Sequence, residues 1–513
     1  MSGSTAVEIT PQDRVPVSQK VIYGVGSLAN NLLAAAIGCM TIVLNLGLKM
    51  DPAKIGLIMA FSKLTDACID PVMGYISDHS SFKWGRRRPF IFVGALLAGT
   101  IFAMMWQLPS GHSQNFYFWF FLIGTNIFYM AYTIYAAPFI GLGYEMTADY
   151  HERTRIQAYA NVIGQIAWML IPWFWYIMSN KDYFPDSVTG ARKLAIGVGG
   201  TVAILGILPA FFCKEPFYKI AVKEESKDTN TSCRLVEGLL HHATSFFTGV
   251  WVALKNVRFL KLVFATFLVF NGFQIVAGLS SYTIIYYLFA GDQNFGGKYM
   301  GWFGTFSSIC TFCLIPVVAW AATRIGKKKA FIISTVLAIL GYAIKWPCYV
   351  PGSSQAVVTV SIPLIFTHWD LTFAKGAVNW IFLSAPLISF GFAGLFTTVC
   401  SMIADVCDQD ELENGHRREA TFGAIYWWMV KLGMALALAI SGYLLNFTGF
   451  NVEFGSQQTP STLLLLRVFE IGVTIIAYIL AIVVMSTYDL TQERACEIRR
   501  ELEKRRGKTA SVA

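Results

Sequence analysis

Residues 53–77, AKIGLIMAFSKLTDACIDPVMGYIS, are long and apolar enough to cross a bilayer, yet they carry Lys63, Asp66 and Asp70. On a helix at about 100° per residue the three charges fall within an arc of roughly 60°, one turn after another. Each charge near the bilayer centre costs about 2.5–3.5 kcal/mol on insertion scales. A stripe of three must therefore face protein or water rather than lipid. The usual reason to keep such a stripe is to move an ion or a polar solute.

The rest of the chain sets that stripe in a membrane. Of 513 residues, 55% are hydrophobic and 14% charged, with mean hydropathy +0.52. A soluble chain carries about 25% charged residues, so a polytopic membrane protein is expected and a globular enzyme is not. The net charge of +9 lies in loops between apolar spans, where it sets orientation rather than binding nucleic acid. Ten cysteines are scattered without metal-like pairing, so neither a disulfide framework nor a metal cluster is expected. Residues 1–18 are polar and show no cleavable signal peptide.

Runs of about 20 apolar residues occur near 20–47, 54–77, 89–108, 116–142, 156–178, 193–213, 259–288, 299–321, 329–349, 377–403, 421–447 and 463–487. That pattern predicts an all-α membrane protein of about twelve spans. The expected parts are a segment 1–19, a bundle over 20–213, a charged central loop 214–258, a bundle over 259–487 and a basic tail 488–513. Part of the loop is expected to be an amphipathic helix, and 350–376 an excursion outside the membrane. With the N-terminus inside, cytoplasmic segments hold about 29 of the 40 Lys and Arg and outer segments about 8; Lys63, Lys431 and Arg467 lie within spans. Both termini are therefore expected in the cytoplasm. FKWGRRRPF at 82–90 follows span two and TRIGKKKAF at 323–331 follows span eight, which points to a duplicated six-helix unit.

There is no Gly-x-x-x-x-Gly-Lys-Ser/Thr run for ATP and no filter-like repeat. Secondary transport driven by a gradient remains. Asp66 and Asp70 are the candidate coupling carboxylates. Like charges one turn apart repel, and taking up a proton or sharing a cation relieves the repulsion. A purely structural ion cluster with Lys63 is the competing reading, and apolar packing would serve that purpose more cheaply. Lys431, about ten residues into span eleven, is too deep to snorkel easily and is read as a second cavity cation. Arg467 and Glu470, at i,i+3 near the outer end of span twelve, are read as an interfacial ion pair. Amides and aromatics recur in other spans: Ser27, Asn30 and Asn31; Tyr132, Thr133 and Tyr135; Asn161, Gln165 and Trp168; Asn271 and Gln274; Trp427 and Trp428. Hydrogen-bonding edges and flat apolar faces suit a sugar-like ligand. Each residue alone reads equally as helix-packing glue.

Three segments carry a family resemblance: DACIDPVMGYISDHSSFKWGRRRPF at 66–90, APFIGLGYEMTADYHERTRI at 137–156, and ADVCDQDELENGHRREATFGAIYWWMVKLG at 404–433. Together they resemble the glycoside–pentoside–hexuronide:cation symporters, the melibiose-permease-like branch of the major facilitator superfamily, over essentially residues 20–490. The resemblance implies twelve helices, alternating access and symport of a glycoside with Na⁺, Li⁺ or H⁺. It places Asp66 and Asp70 on the family's cation carboxylates and Thr133 on an associated hydroxyl. Lys63 stands where the family has a basic residue, and Lys431 matches a lysine facing the cavity. Asp78, Gly85, Arg86, Arg87, Arg88, Arg153, Asp405, Asp408, Arg417 and Arg418 fall on the loop motifs and are expected to form the cytoplasmic gate. The chain departs from the melibiose permeases at Ile69, where they use an amide for Na⁺. It also departs at Asn31, Ala136 and Asn161, where their sugar pocket has two acids and an arginine. The cation site is partly kept and the sugar site rewritten.

The expected function is cation-coupled symport of a carbohydrate in the plasma or inner membrane, by a monomer with no cofactor beyond its H⁺ or Na⁺. The same fold carrying a non-sugar solute, including a lipid-like amphiphile, is the first alternative. A non-transporting sensor is the second.

Overall fold

The computed structural model describes residues 14–78, 80, 82–109, 111–147, 150–215, 250–251, 253–351, 357–363, 368–374, 377–414, 419–490 and 492–505. Twelve long helices follow in order: α1 (Val17–Met40), α2 (Pro52–Asp78), α3 (Arg88–Met105), α4 (Gln114–Glu145), α5 (Tyr150–Leu170), α6 (Ser187–Phe212), α7 (Val257–Tyr282), α8 (Gln293–Ile325), α9 (Lys327–Cys348), α10 (Ser384–Asn414), α11 (Glu419–Phe447) and α12 (Pro460–Ser486). Eleven helical segments among the described residues are long and apolar enough to cross a membrane. The twelfth expected span is α2, a continuous helix of 27 residues. It is set apart from the eleven by its own charges, Lys63, Asp66 and Asp70. Helix is interrupted by one antiparallel hairpin, β1 (Val357–Pro363) with β2 (His368–Ala374), inside the expected excursion. The proposed amphipathic helix of the central loop lies almost wholly outside the described residues. The tail forms α13 (Gln492–Arg505), which buries Ile498 and Leu502.

Local chemistry fixes where the helices begin. Ser113, Asp186, Asn256, Asp292 and Thr459 each accept a backbone N–H three residues on, satisfying an orphan donor of the first turn. Gly326, at φ +90°, breaks α8 from α9. Gly85, at φ +127°, turns the chain before α3. These are the glycines of the two repeated basic loops, and both hold backbone conformations that L side chains rarely adopt.

Residues 1–43 and 64–243 form one compact unit, and residues 44–63 and 244–513 form a second. The first is centred on Tyr23, Ile91, Tyr135 and Phe139. Its α3 and α6 cross at Gly99 and Gly199, where neither helix has room for a Cβ against the other's backbone. Small residues at such crossings let lipid-embedded helices approach closely. The second unit is centred on Phe259, Phe331, Tyr342, Phe422 and Tyr478. The segment 44–63 packs there by the same device: a Cβ on Gly56 would lie 2.7 Å from the Leu438 carbonyl oxygen. Tyr282 also donates to Asn45 Oδ1 at 2.9 Å.

Candidate functional site

The carboxylates of α2 lie where helix phase puts them. Asp66 is 1% exposed and Lys63 8%, while Asp70, one turn further on, is half-buried. Thr133, fully buried on α4, donates its hydroxyl to Asp66 Oδ1 at 3.3 Å. Tyr132, also buried, lies close enough to both acids to feel their charges. Asp66, Asp70 and Thr133 thus bring carboxylate and hydroxyl oxygens to one part of the first unit, a donor set for a proton or a hard cation. Among the described residues no three His, Cys, Asp or Glu cluster as a metal-ion site.

About two turns before Thr133, α4 makes a second tie to α2. Thr65 donates to Asn126 Oδ1, and Asn126 Nδ2 donates to the Leu122 carbonyl at 2.6 Å. Asn126 escaped the sequence reading. Its signal was present: it lies seven residues before Thr133 and so shares its helix face.

The two basic loops build parallel clamps. In the first unit Arg86 pairs with Glu145 at the end of α4, and donates to the Asp78 carbonyl at 2.9 Å. Arg87 pairs with Asp78 at 2.6 Å and Glu145 at 3.0 Å. It reaches them through a notch at Gly141, where a Cβ would overlap its guanidinium. Arg88 donates to the Ala210 and Phe211 carbonyls at the end of α6 and lies over the Trp84 ring. Glu215 accepts the backbone N–H groups of Arg86, Arg87 and Arg88 at 2.7, 3.1 and 3.0 Å, capping the N-terminus of α3. In the second unit Lys327 pairs with Asp405 of α10 at 2.7 Å. Lys328 donates to the Ser486 and Tyr488 carbonyls at the end of α12. Each loop therefore ties an acid on the fourth helix of its half and the carbonyls ending the sixth. The first has an extra acid, Asp78, seven residues before its glycine; the second has Ala319 at that distance.

A model of the family described as MFS/sugar transport protein matches residues 22–492. The chain belongs to that family. It is a multi-pass membrane transporter of the major facilitator type, not an enzyme. Curated relatives cover nearly all of it. It is 23% identical to sodium-dependent lysophosphatidylcholine symporter 1-B of Danio rerio, over 94% of this chain and 89% of that protein. It is 22% identical to the inner membrane symporter YicJ of Escherichia coli, over 93% and 92%. It is 20% identical to the isoprimeverose transporter of Lactiplantibacillus pentosus, over 86% and 82%. Among solved structures the nucleoside transporter NupG superposes with TM-score 0.59 at 14% identity, over 92% of this chain and all of that one, a likeness of fold.

Within this transporter the remaining expected residues divide sharply. Asn31 donates to the Gly164 carbonyl of α5 at 3.2 Å, in a gap that Gly164 leaves for it. Tyr135 is fully buried and donates to the Gly26 carbonyl at 2.9 Å. Asn271 is buried over the notch at Gly433, its Nδ2 on the Phe267 carbonyl at 2.8 Å. Asn31 and Tyr135 thus bond one helix to another, while Asn271 bonds within its own helix and packs over Gly433. Asn161 and Trp168 stand exposed on α5, with Gln165 half-buried between them on the same face. Trp427 is half-exposed on α11, one turn before half-buried Lys431, and Asn30 and Gln274 are half-buried. Arg153 donates to the Thr147 carbonyl at 2.9 Å, and Asp408 lies one turn after Asp405 on α10. Arg417 and Arg418 lie outside the described residues.

The ion pair expected between Arg467 and Glu470 is replaced by two separate arrangements. Glu470, 1% exposed, pairs with buried Lys345 of α9 at 2.5 Å and accepts from Tyr349 at 2.7 and 2.8 Å. Arg467 instead lies between the Tyr287 and Trp346 rings, 4.4 and 4.3 Å from their centroids. A stacked guanidinium keeps its charge while burying its faces. Helix spacing allowed the i,i+3 pair; a lysine from a neighbouring helix, invisible to local spacing, took the carboxylate.

Proposed function

We propose that this transporter couples uptake of a small solute to a cation held at Asp66 and Asp70, by alternating access. One observation carries the reading: a carboxylate almost wholly removed from solvent in the middle of α2, supported by the Thr133 hydroxyl. A buried charge in a lipid-embedded helix is expensive unless it serves a cation or a proton. Lys63, one turn before Asp66 on the same helix, is the cation proposed to balance these acids. The basic-loop clamps are proposed as the gate at the cytoplasmic ends of the helices.

The family description and the isoprimeverose relative support a carbohydrate as solute. On that reading the exposed Asn161–Gln165–Trp168 face of α5 supplies hydrogen bonds and a stacking surface. A lipid-like amphiphile is the second reading. Its support is the lysophosphatidylcholine symporters and the commitment of Asn31 and Tyr135 to helix packing, which thins the polar set. Ile69 offers no ligand beside the acids, which weighs toward H⁺; the sodium-dependent relatives weigh toward Na⁺.

The test is uptake into proteoliposomes of a sugar panel and of lysophosphatidylcholine, under separately imposed Na⁺ and H⁺ gradients. Accumulation of one solute class under one gradient is expected. Asp66→Asn and Asp70→Asn are expected to lose accumulation while keeping solute exchange. Normal accumulation by both variants would remove the coupling assignment.

A further inference from the structure

The pair Thr65–Asn126 has no place in the clamps and was not among the expected site residues. Both side chains are half-buried between α2 and α4, in the middle of membrane-crossing helices. A polar pair there is tolerated when its hydrogen bonds are met. Leucine or alanine would pack without that requirement. The amide is held from both ends: its Nδ2 is spent on Leu122 of its own helix, which turns Oδ1 toward Thr65.

The geometry relates this pair to the carboxylate. Thr65 and Asp66 are consecutive, so their side chains leave α2 about 100° apart. Asn126 and Thr133 are seven apart, so they leave α4 within about 20° of each other, about 10 Å apart along its axis. The two contacts, Thr65 to Asn126 and Thr133 to Asp66, are thus separated around one helix and along the other. A single contact leaves α2 free to roll about its axis. Two contacts so placed restrain the roll, and the roll decides how Asp66 meets Thr133 and which way Asp70, one turn on, faces. The two contacts also differ in kind. Thr133 bonds to the group that takes up the cation, so its bond changes with loading. The Thr65–Asn126 bond joins two neutral groups, so it does not itself pass through the group that takes up the cation.

We propose that Asn126, acting through Thr65, is a positioning residue that sets the orientation of the Asp66–Asp70 pair and hence the strength of cation binding. The inference rests on the coupling role given above to those acids. It follows that removing the tie weakens cation binding while leaving the saturated transport rate largely intact, because no ligand or counter-charge is lost.

The experiment measures the half-saturating cation concentration for uptake, in whichever gradient drives the wild-type protein. Thr65→Val keeps the branched shape and removes only the hydroxyl; Thr65→Ser keeps the hydroxyl. Asn126→Ala removes the other partner. Thr65→Val and Asn126→Ala are each expected to raise the half-saturating concentration about three- to tenfold, the scale of one hydrogen bond. Thr65→Ser is expected to stay within about twofold of wild type. The double variant Thr65→Val/Asn126→Ala is expected to match either single variant, since both remove the same bond. Wild-type behaviour of both single variants, loss of affinity in Thr65→Ser equal to that of Thr65→Val, or effects that multiply in the double variant would each overturn the proposal. Should one single variant fail to reach the membrane, the other with Thr65→Ser decides. Asp66→Asn separates the two levels. If it retains cation dependence, the coupling role itself fails; if it loses dependence while Thr65→Val and Asn126→Ala bind normally, only the positioning role fails.

Discussion

Gly141→Ala is the substitution for which local and tertiary physics give opposite signs. Gly141 lies inside α4, and in an ordinary helix interior alanine is favoured over glycine by about 1 kcal/mol. Here the new Cβ would coincide with Nη1 of Arg87 and lie 3.1 Å from its Nε. The guanidinium must leave, and with it go the bonds to Asp78 at 2.6 Å and Glu145 at 3.0 Å. Asp78's side chain is 45% exposed, so that bond is screened and contributes little. The bond to Glu145, at 23% exposure, carries most of the loss. A charge-assisted hydrogen bond contributes about 1.5–3 kcal/mol; after discounting for exposure the clamp is given about 2 kcal/mol. Setting the helix gain against it leaves a net loss of about 1 kcal/mol. The melting temperature in detergent should fall by about 1–2 °C rather than rise. If the clamp favours one of two transport conformations, losing about 1–2 kcal/mol shifts their ratio by about 5- to 30-fold, which slows uptake at unchanged solute binding. Arg87→Ala/Gly141→Ala removes the overlap, so it should melt above Arg87→Ala alone by the helix gain. A Gly141→Ala protein that melts at or above wild type with normal uptake would refute the reasoning. So would a double variant no more stable than Arg87→Ala.

The buried Lys345–Glu470 pair should behave as a unit: Lys345→Met leaves Glu470 buried without its cation and should cost about 3–5 kcal/mol, read as a large drop in melting temperature. Lys345→Met/Glu470→Leu should recover most of it. Glu152 is 1% exposed; burial alone raises its carboxyl, but Lys20 at 2.5 Å, the Val15 N–H and Arg155 together hold it below the usual range. Its folded value is depressed, so its contribution is present above the ordinary glutamate value and fades as pH falls through the lower folded one. Glu152→Gln should therefore destabilise at neutral pH, and its deficit should shrink as pH falls below the ordinary glutamate range, checked by melting across pH. Ile69→Asn restores an amide one residue before Asp70, and should lower the half-saturating Na⁺ for uptake, measured under an imposed Na⁺ gradient. An unchanged Na⁺ response would mean that side chain does not face the cation.

The spans were legible because lipid imposes a length and an apolarity that no soluble helix needs, and because charge in loops votes on organisation. The charged stripe on α2 was legible for the same reason: a helix repeats every 3.6 residues, so Lys63, Asp66 and Asp70 had to share a face wherever the helix went. The loop motifs announced basic residues, and the structure supplied their partners. Asp78 and Asp405 were singled out from the loop motifs, but Glu145 and Glu215 were not, since nothing in the chain near either acid names an arginine about 60 or 130 residues away.

What stayed hidden is pairing between helices, and the glycines show why. Gly141, Gly164 and Gly433 are ordinary in sequence, yet each is the space into which Arg87, Asn31 or Asn271 fits. A notch has meaning only once a particular side chain fills it. The same holds for amides: Asn31 and Asn271 read as ligand-binding residues because a polar side chain in lipid demands a partner, and a backbone carbonyl, of the next helix for Asn31 and of its own for Asn271, meets that demand as a substrate would. Asn126 presents the reverse case, a polar residue passed over although its face was fixed by Thr133. The discriminating feature is therefore neither polarity nor periodicity alone. An amide that bonds to a backbone carbonyl of another helix, as Asn31 does to Gly164, is committed to packing. One whose oxygen meets a side chain adjacent to the proposed coupling acid, as Asn126 does through Thr65, is the one proposed to tune it.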